Sequence, residues 1–239
     1  MYILSVSTFS LNSSFSLLKK ENNSLKSIIE FNLYYSDIDN QSQLSIFPYF
    51  FKLIKEKIGI DLREIKEVLV LSGPGFFTSL RIGAIISQTF AFINQADLYS
   101  IDTFKAILNV FYYFYKDYIN PKNCILVIIK VSNSKFKILK LNDFYNIYNK
   151  ITQEGSQYLI NDISKIELQK LIQEYSNNLD NNLIIVSPNM DLDDIIEIEN
   201  LGINFIDLRD IFTSSNIAKA SFYLDNLKKE DPAFLQLTY

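Results

Sequence analysis

An α/β fold of two lobes, each a mixed sheet with flanking helices, is predicted by three features of the chain. Short apolar runs within Glu67 to Leu71 (EVLVL) and Cys124 to Val131 (CILVIIKV) read as buried strands. Longer stretches carry apolar residues at steps of three and four, the period of a helix with one buried face. The order of elements also repeats: each half has a strand hairpin, a helix, then strand–helix–strand, without sequence identity between the halves.

The first half reads as follows. Tyr2 to Ser7 and Ser13 to Leu18 alternate apolar with polar residues and form a hairpin across the turn Phe9 to Asn12. Glu21 to Ser24 turns the chain into a third strand, Ser27 to Tyr34, and Asp37 to Ser42 is a polar loop. Leu44, Phe47, Phe51, Ile54 and Ile58 then mark one helical face. Pro48 sits in the first turn of that helix or kinks it, and Gly59 stops it. Glu67 to Leu71, a helix ending near Asn94 and the strand Leu98 to Ile101 make one right-handed strand–helix–strand unit. Asp102 is suited to cap the helix Thr103 to Tyr115.

After Asn120-Pro121 the plan restarts. Cys124 to Val131 and Lys135 to Leu141 pair across Ser132 to Ser134, with a short strand at Tyr158 to Asn161. A helix at Ile166 to Tyr175, a strand at Leu183 to Val186, a helix at Asp191 to Asn200 and a strand at Ile203 to Ile206 follow. The last helix spans about 214–227, with Ile217, Ala220, Leu224 and Leu227 on one face. The expected partition is a first lobe of 1–103 and a second of 104–239, with a cleft between them and the last helix packing back on the first.

Composition narrows the chemistry. The chain has 239 residues, 48% hydrophobic and 21% charged, enough apolar material for a core. It has no histidine, which removes histidine acid–base catalysis, a Ser-His triad and every histidine metal site. Its single cysteine, Cys124, forbids an internal disulfide, fits a reducing compartment and reads as an inert core thiol at the start of a strand. A formal charge of -4 gives no bulk attraction to nucleic acid. The N-terminal MYILSVSTFS reads as a strand rather than a signal peptide, and no apolar run reaches a membrane span. A soluble, cytoplasmic protein is expected.

The stretch Ser72 to Gly83, SGPGFFTSLRIG, decides what the protein can do. A glycine-rich turn opening a helix offers free N–H groups to an anion. A Walker loop, however, needs a lysine and a hydroxyl after its last glycine, where Phe76-Phe77-Thr78 stands, and the dinucleotide fingerprint is absent. Ser72, Thr78 or Ser79 as nucleophile would need a base that no spacing supplies, so their hydroxyls fit turn and cap roles. What remains is the helix. Gly83, Ser87 and Ala91 fall on one narrow strip, flanked by Ile82, Ile86, Ile93 and Phe90, while Ile85 and Phe92 lie well round the barrel. One side suits this chain's own sheet, and the strip of small residues would admit a second helix. That helix comes from the same chain, such as Thr103 to Tyr115, or from another subunit. The acidic run Asp191, Asp193, Asp194, Glu197 and Glu199 spreads over several helical faces and reads as a solvated amphipathic helix, not a metal cluster.

Gly73 to Gly83, GPGFFTSLRIG, resembles the GPGSFTGLRIG signature of the TsaB (YeaZ-like) family at nine of eleven positions. The strand ILSVST is similar to that family's ILAIDTS, the Pro48 helix precedes the motif as it does there, and Pro232 to Gln236 is similar to its P-x-Y-L-R end. The likeness runs from Ile3 to Leu108 and is faint from Cys124 to Tyr223. The resemblance implies a fold of the actin, Hsp70 and sugar-kinase type and a non-catalytic role in making threonylcarbamoyladenosine on tRNA. It implies pairing with a TsaD-like catalytic subunit through the motif helix, a TsaE-like ATPase in the same machinery, self-association through that helix, and tRNA contact only through the complex. No cofactor, metal or membrane is implied for this chain. The TsaD-like subunit of such systems binds metal with two histidines, which this chain lacks. The interface residues implied are Gly73, Pro74, Gly75, Thr78, Leu80, Arg81, Gly83, Ala84, Ser87, Phe90 and Ala91.

The departures have physical content. The family's first-strand aspartate is Ser7, its motif serine is Phe76 and its next glycine is Ser79, a hydroxyl suited to cap the helix. Its second-lobe aspartate aligns with Lys130, its terminal arginine with Gln236 and its histidine before the first helix with Gln41. These changes weigh against nucleotide binding. The alternative activity, a nucleotide-dependent phosphotransferase of the sugar-kinase type, lacks the aspartate at Ser7, and a protease lacks both metal ligands and a nucleophile–base pair.

Overall fold

The structure is a computed structural model that describes residues 1–10, 12–22, 24–33, 43–120, 123–142, 161–178, 183–222 and 227–238. The chain divides into two compact units, Met1–Ala106 with Thr213–Tyr239, and Ile107–Phe212. The division drawn from sequence kept 104–239 together. In the structure Thr213–Tyr239 counts with the first unit, because its helix lies on that unit's sheet and its strand extends it.

The first unit holds a six-stranded mixed sheet in the order β11-β5-β4-β1-β2-β3. Its strands are β1 (Tyr2–Ser7), β2 (Ser13–Glu21), β3 (Ser24–Leu33), β4 (Ile65–Leu71), β5 (Asp97–Ile101) and β11 (Lys228–Glu230). β1, β4 and β5 run parallel, and β2 pairs antiparallel with both β1 and β3. Period-2 alternation sorts the strands: Leu4, Val6, Phe15, Leu17, Val68 and Val70 join one core with α1 (Gln43–Leu53) and α2 (Phe77–Asn94). Phe15, Phe47, Phe50 and Phe51 interlock there, with Phe15 edge-on to Phe47 at 5.0 Å between centroids.

Several boundaries differ from expectation for local reasons. Pro48 stands inside α1, beyond its first turn, and the helix continues as a wider turn over Ile54–Ile58. Gly59 ends it at φ 77°, the left-handed conformation that glycine takes without a Cβ clash. β11 was not anticipated, because three residues of sequence Lys-Lys-Glu carry no apolar alternation; Ser100 and Glu230 fasten it by a 2.6 Å hydrogen bond. The polar loop 37–42, Tyr34, Tyr158 to Ile160 and Tyr223 to Asn226 lie outside the described residues. The last helix is therefore described as Ser214–Phe222.

The second unit repeats the plan as a five-stranded sheet, β10-β9-β6-β7-β8. Its strands are β6 (Cys124–Lys130), β7 (Lys135–Leu141), β8 (Asn161–Ser164), β9 (Leu183–Ser187) and β10 (Asn204–Asp207). Its hairpin and parallel pairs match those of the first sheet strand for strand. Two mixed sheets with flanking helices are thus the fold class expected. α3 (Thr103–Tyr115) is capped by Asp102, whose carboxylate accepts from Phe104 N–H at 2.8 Å and Lys105 N–H at 3.2 Å. α4 (Lys165–Asn178) and α5 (Leu192–Asn200) bury Leu168, Ile172, Ile195 and Ile198 against Leu126, Ile128 and Ile185. α6 (Ser214–Phe222) lies on β1, β2 and β3. Among the described residues no helix is long and apolar enough to cross a membrane.

Candidate partner-binding helix

The motif turn is held from three directions. Ser72 N–H donates to Ile101 C=O at 3.0 Å, Phe76 N–H to Phe9 C=O at 2.7 Å, and Gly73 C=O accepts from Thr103 N–H at 2.7 Å. From the C-terminal segment, Thr238 donates its N–H to Ser72 C=O at 2.8 Å and its hydroxyl to the same oxygen at 3.2 Å. The Gly73-Pro74 bond is cis. Gly73 sits at φ 106°, and a Cβ there would lie 1.9 Å from Thr238 C=O; one at Gly75 would lie 2.3 Å from Phe9 C=O. The glycines thus let other backbone segments close on the turn. Two of the turn's N–H groups are spent on this chain's own carbonyls, which is unlike a loop held open for phosphate.

α2 begins after Phe76, an extended N-cap that makes no side-chain capping bond. Ser79, expected as a cap, is instead the third residue of the helix and is buried. At the other end Gln95 takes the left-handed conformation and its N–H reaches Ala91 and Phe92 C=O.

The small-residue strip faces inward, which corrects the expectation of an open groove. Leu80, Gly83, Ala84, Ser87, Phe90 and Ala91 are all buried, and a Cβ on Gly83 would sit 2.0 Å from Thr8 Oγ1. The close approach that glycine permits is therefore used by the end of β1, not by a helix. Phe90 stacks on Phe51 of α1 at 4.8 Å, so α1 and the sheet together close that side. Gly73, Pro74 and Gly75 are buried as well.

The outward face holds Thr78 and Arg81 together with residues the sequence reading did not select. Phe77, Ile85, Phe92 and Ile93 are 48, 59, 75 and 71% exposed. The Arg81 guanidinium lies 4.0 Å from the centre of the Phe77 ring, a cation–π pair at the start of the stripe. Their signal was present: at about 100° per residue, Ile85 and Phe92 lie half a turn from Gly83. Once glycine is assigned to the sheet side, those two must face out.

The remaining positions singled out in the sequence are not gathered into a chemical site. Ser7 is buried at the end of β1. Lys130 pairs through its ammonium with Asp191, and Asn189 ties its backbone, accepting from Lys130 N–H at 3.0 Å and donating to its C=O at 2.8 Å. Gln236 is exposed, and Gln41 lies outside the described residues. Cys124 is buried, and burial pushes its thiol pKa up, away from a reactive thiolate. Among the described residues no group of three or more potential ligands is placed to hold a metal ion.

Residues 40–154 match the family described as TsaD, tRNA N6-adenosine threonylcarbamoyltransferase. The match includes all of α2 and its turn. None of the curated proteins matches in sequence. YeaZ from Pseudomonas aeruginosa superposes over 100% of both chains with a TM-score of 0.58 at 11% identity. An uncharacterized Pseudomonas aeruginosa protein with similarity to peptidase YeaZ gives 0.59 at 12% identity, over 100% of this chain and 98% of that one. The fold is therefore that of the YeaZ structures.

Proposed function

We propose that this chain is a non-catalytic partner subunit in threonylcarbamoyladenosine modification of tRNA, and that it docks a TsaD-like catalytic subunit on the outward face of α2. The observation that carries the reading is the stripe Phe77, Ile85, Phe92 and Ile93, four large apolar side chains between 48 and 75% exposed on one helix. Burying such a stripe against a matching helix would remove its apolar surface from water, at about 25 cal/mol per Å². Thr78 and Arg81 border it and suit the polar rim of such an interface. A TsaE-like ATPase joins the same assembly, tRNA is met through the complex, and a second copy of this chain is the competing occupant of the face.

The reading is tested by co-expression with the TsaD-like subunit of the same organism. Wild-type chain should co-purify, and Phe92→Glu or Ile85→Glu should abolish co-purification while leaving the circular dichroism and melting temperature unchanged. Gly83→Leu, by contrast, should fail to fold because of Thr8. Retained co-purification in both surface variants would refute the docking face.

A further inference from the structure

The C-terminal residues of the chain tie together the two ends of α2. At one end β11 adds to β5, the strand that α2 leads into, with Lys228, Lys229 and Glu230 opposite Ser100, Tyr99 and Leu98. Two side-chain contacts fasten that pairing: Ser100 donates to Glu230 at 2.6 Å, and Lys229 pairs with Asp97 at 2.9 Å. At the other end Thr238 donates its N–H and its hydroxyl to the C=O of Ser72, the residue that opens the motif turn.

The stretch between these anchors is shaped for the return. Asp231 closes a tight turn around Pro232, its C=O accepting from Phe234 N–H and its carboxylate from Ala233 N–H, both at 2.9 Å. Leu235 then packs on the core cluster to which α2 gives Ile86, Phe90 and Ala91. Gly73 completes the fit, since a Cβ there would lie 1.9 Å from Thr238 C=O. α2 itself starts on Phe76, which makes no side-chain capping bond, so its first turn takes its position from backbone ties to neighbouring segments. The tie from Thr238 comes from a chain end, where local opening costs least.

We propose that the C-terminal segment is a clasp that sets the docking competence of α2. Seated, it fixes the first turn and with it Phe77 and Arg81; released, it lets that turn shift, and the partner binds more weakly. Thr238 is on this account a positioning residue that acts through Ser72 without touching the partner. The proposal rests on the α2 docking face and adds its control. Linkage makes that control reciprocal: a partner that selects the seated form also holds the clasp shut.

A chain ending at Leu237 removes the clasp and keeps Leu235. In this variant, without partner, the amides of Phe76 and Leu80 should exchange hydrogen about tenfold faster than in wild type, with β6 and β9 unchanged. Calorimetric titration with the TsaD-like subunit should give an affinity about tenfold weaker. Thr238→Ser, which keeps both donors, should match wild type in both measurements. Phe234→Ala removes a side chain that is 78% exposed in the same segment and should alter neither. In the wild type, added partner should slow exchange of the Thr238 amide. Unchanged exchange at Phe76 and Leu80 in the shortened chain would overturn the clasp. So would wild-type affinity in that chain, or an equal loss of affinity in Phe234→Ala, since the segment would then act by touching the partner. A wild-type chain that does not bind at all would refute the α2 face instead, and exchange alone would then judge the clasp.

Discussion

Gly83 and Thr8 show how one contact redirects the reading of a motif. A Cβ on Gly83 would meet Thr8 Oγ1 at 2.0 Å and Thr8 Cβ at 3.2 Å, so the hydroxyl is the main obstacle. Gly83→Ala is expected to lower unfolding free energy by about 1–3 kcal/mol, and Thr8→Ala in the same chain to recover most of it. Urea titration of the two single variants and the double checks this; full additivity would separate the residues. Cys124 supplies a second check at this scale. Its thiol is buried and its pKa raised, so at pH 8 iodoacetamide should modify the native chain far more slowly than the urea-unfolded chain. Equal rates would mean that the strand does not bury it.

The seating of α6 explains why alternation in β1 and β2 was legible but its meaning was not. Ser5, Ser14 and Ser16 alternate with apolar residues, and such a polar face normally meets water. Here α6 covers it. Ser5 donates to Ser214 C=O at 2.8 Å, and Ser214 N–H donates to Ser14 Oγ at 2.9 Å. The Ser214 hydroxyl bonds Ser14 at 2.8 Å and Ser16 at 3.0 Å, while Ser215 N–H donates to Glu30 Oε1 at 3.1 Å. Ser14 and Glu30 thus accept the first two N–H groups of a helix that follows them in sequence by 200 and 185 residues. Ser214→Ala leaves buried hydroxyls short of partners and should cost about 1–3 kcal/mol, read as a lower melting temperature. A change near zero would show that the serine face tolerates an apolar cap. Charge balance alone could not reveal such a layer, because hydroxyls carry no charge and read as surface.

For the whole molecule, the positions of the strands along the chain were the most legible property. Apolar runs and alternation located ten of the eleven strands among the described residues to within a few residues, missing the charged three-residue β11, which is held by pairing with β5. The strand plan that the two sheets share, β11 apart, was visible as repeated element order. The site was half legible: the motif located α2, but helical periodicity cannot say which of two apolar faces meets the sheet. That choice was made by Gly83 against Thr8, a contact across the fold. The C-terminal hold of Thr238 on the motif turn was invisible for the same reason.

The central claim is that α2 turns its large apolar residues, not its small ones, toward a partner. The most direct measurement is calorimetric titration of the purified TsaD-like subunit from the same organism into wild-type chain and into the Phe92→Glu variant. Saturable binding by the wild type, lost in a variant that melts at the same temperature, is the predicted result. Undiminished heat with Phe92→Glu would contradict the account.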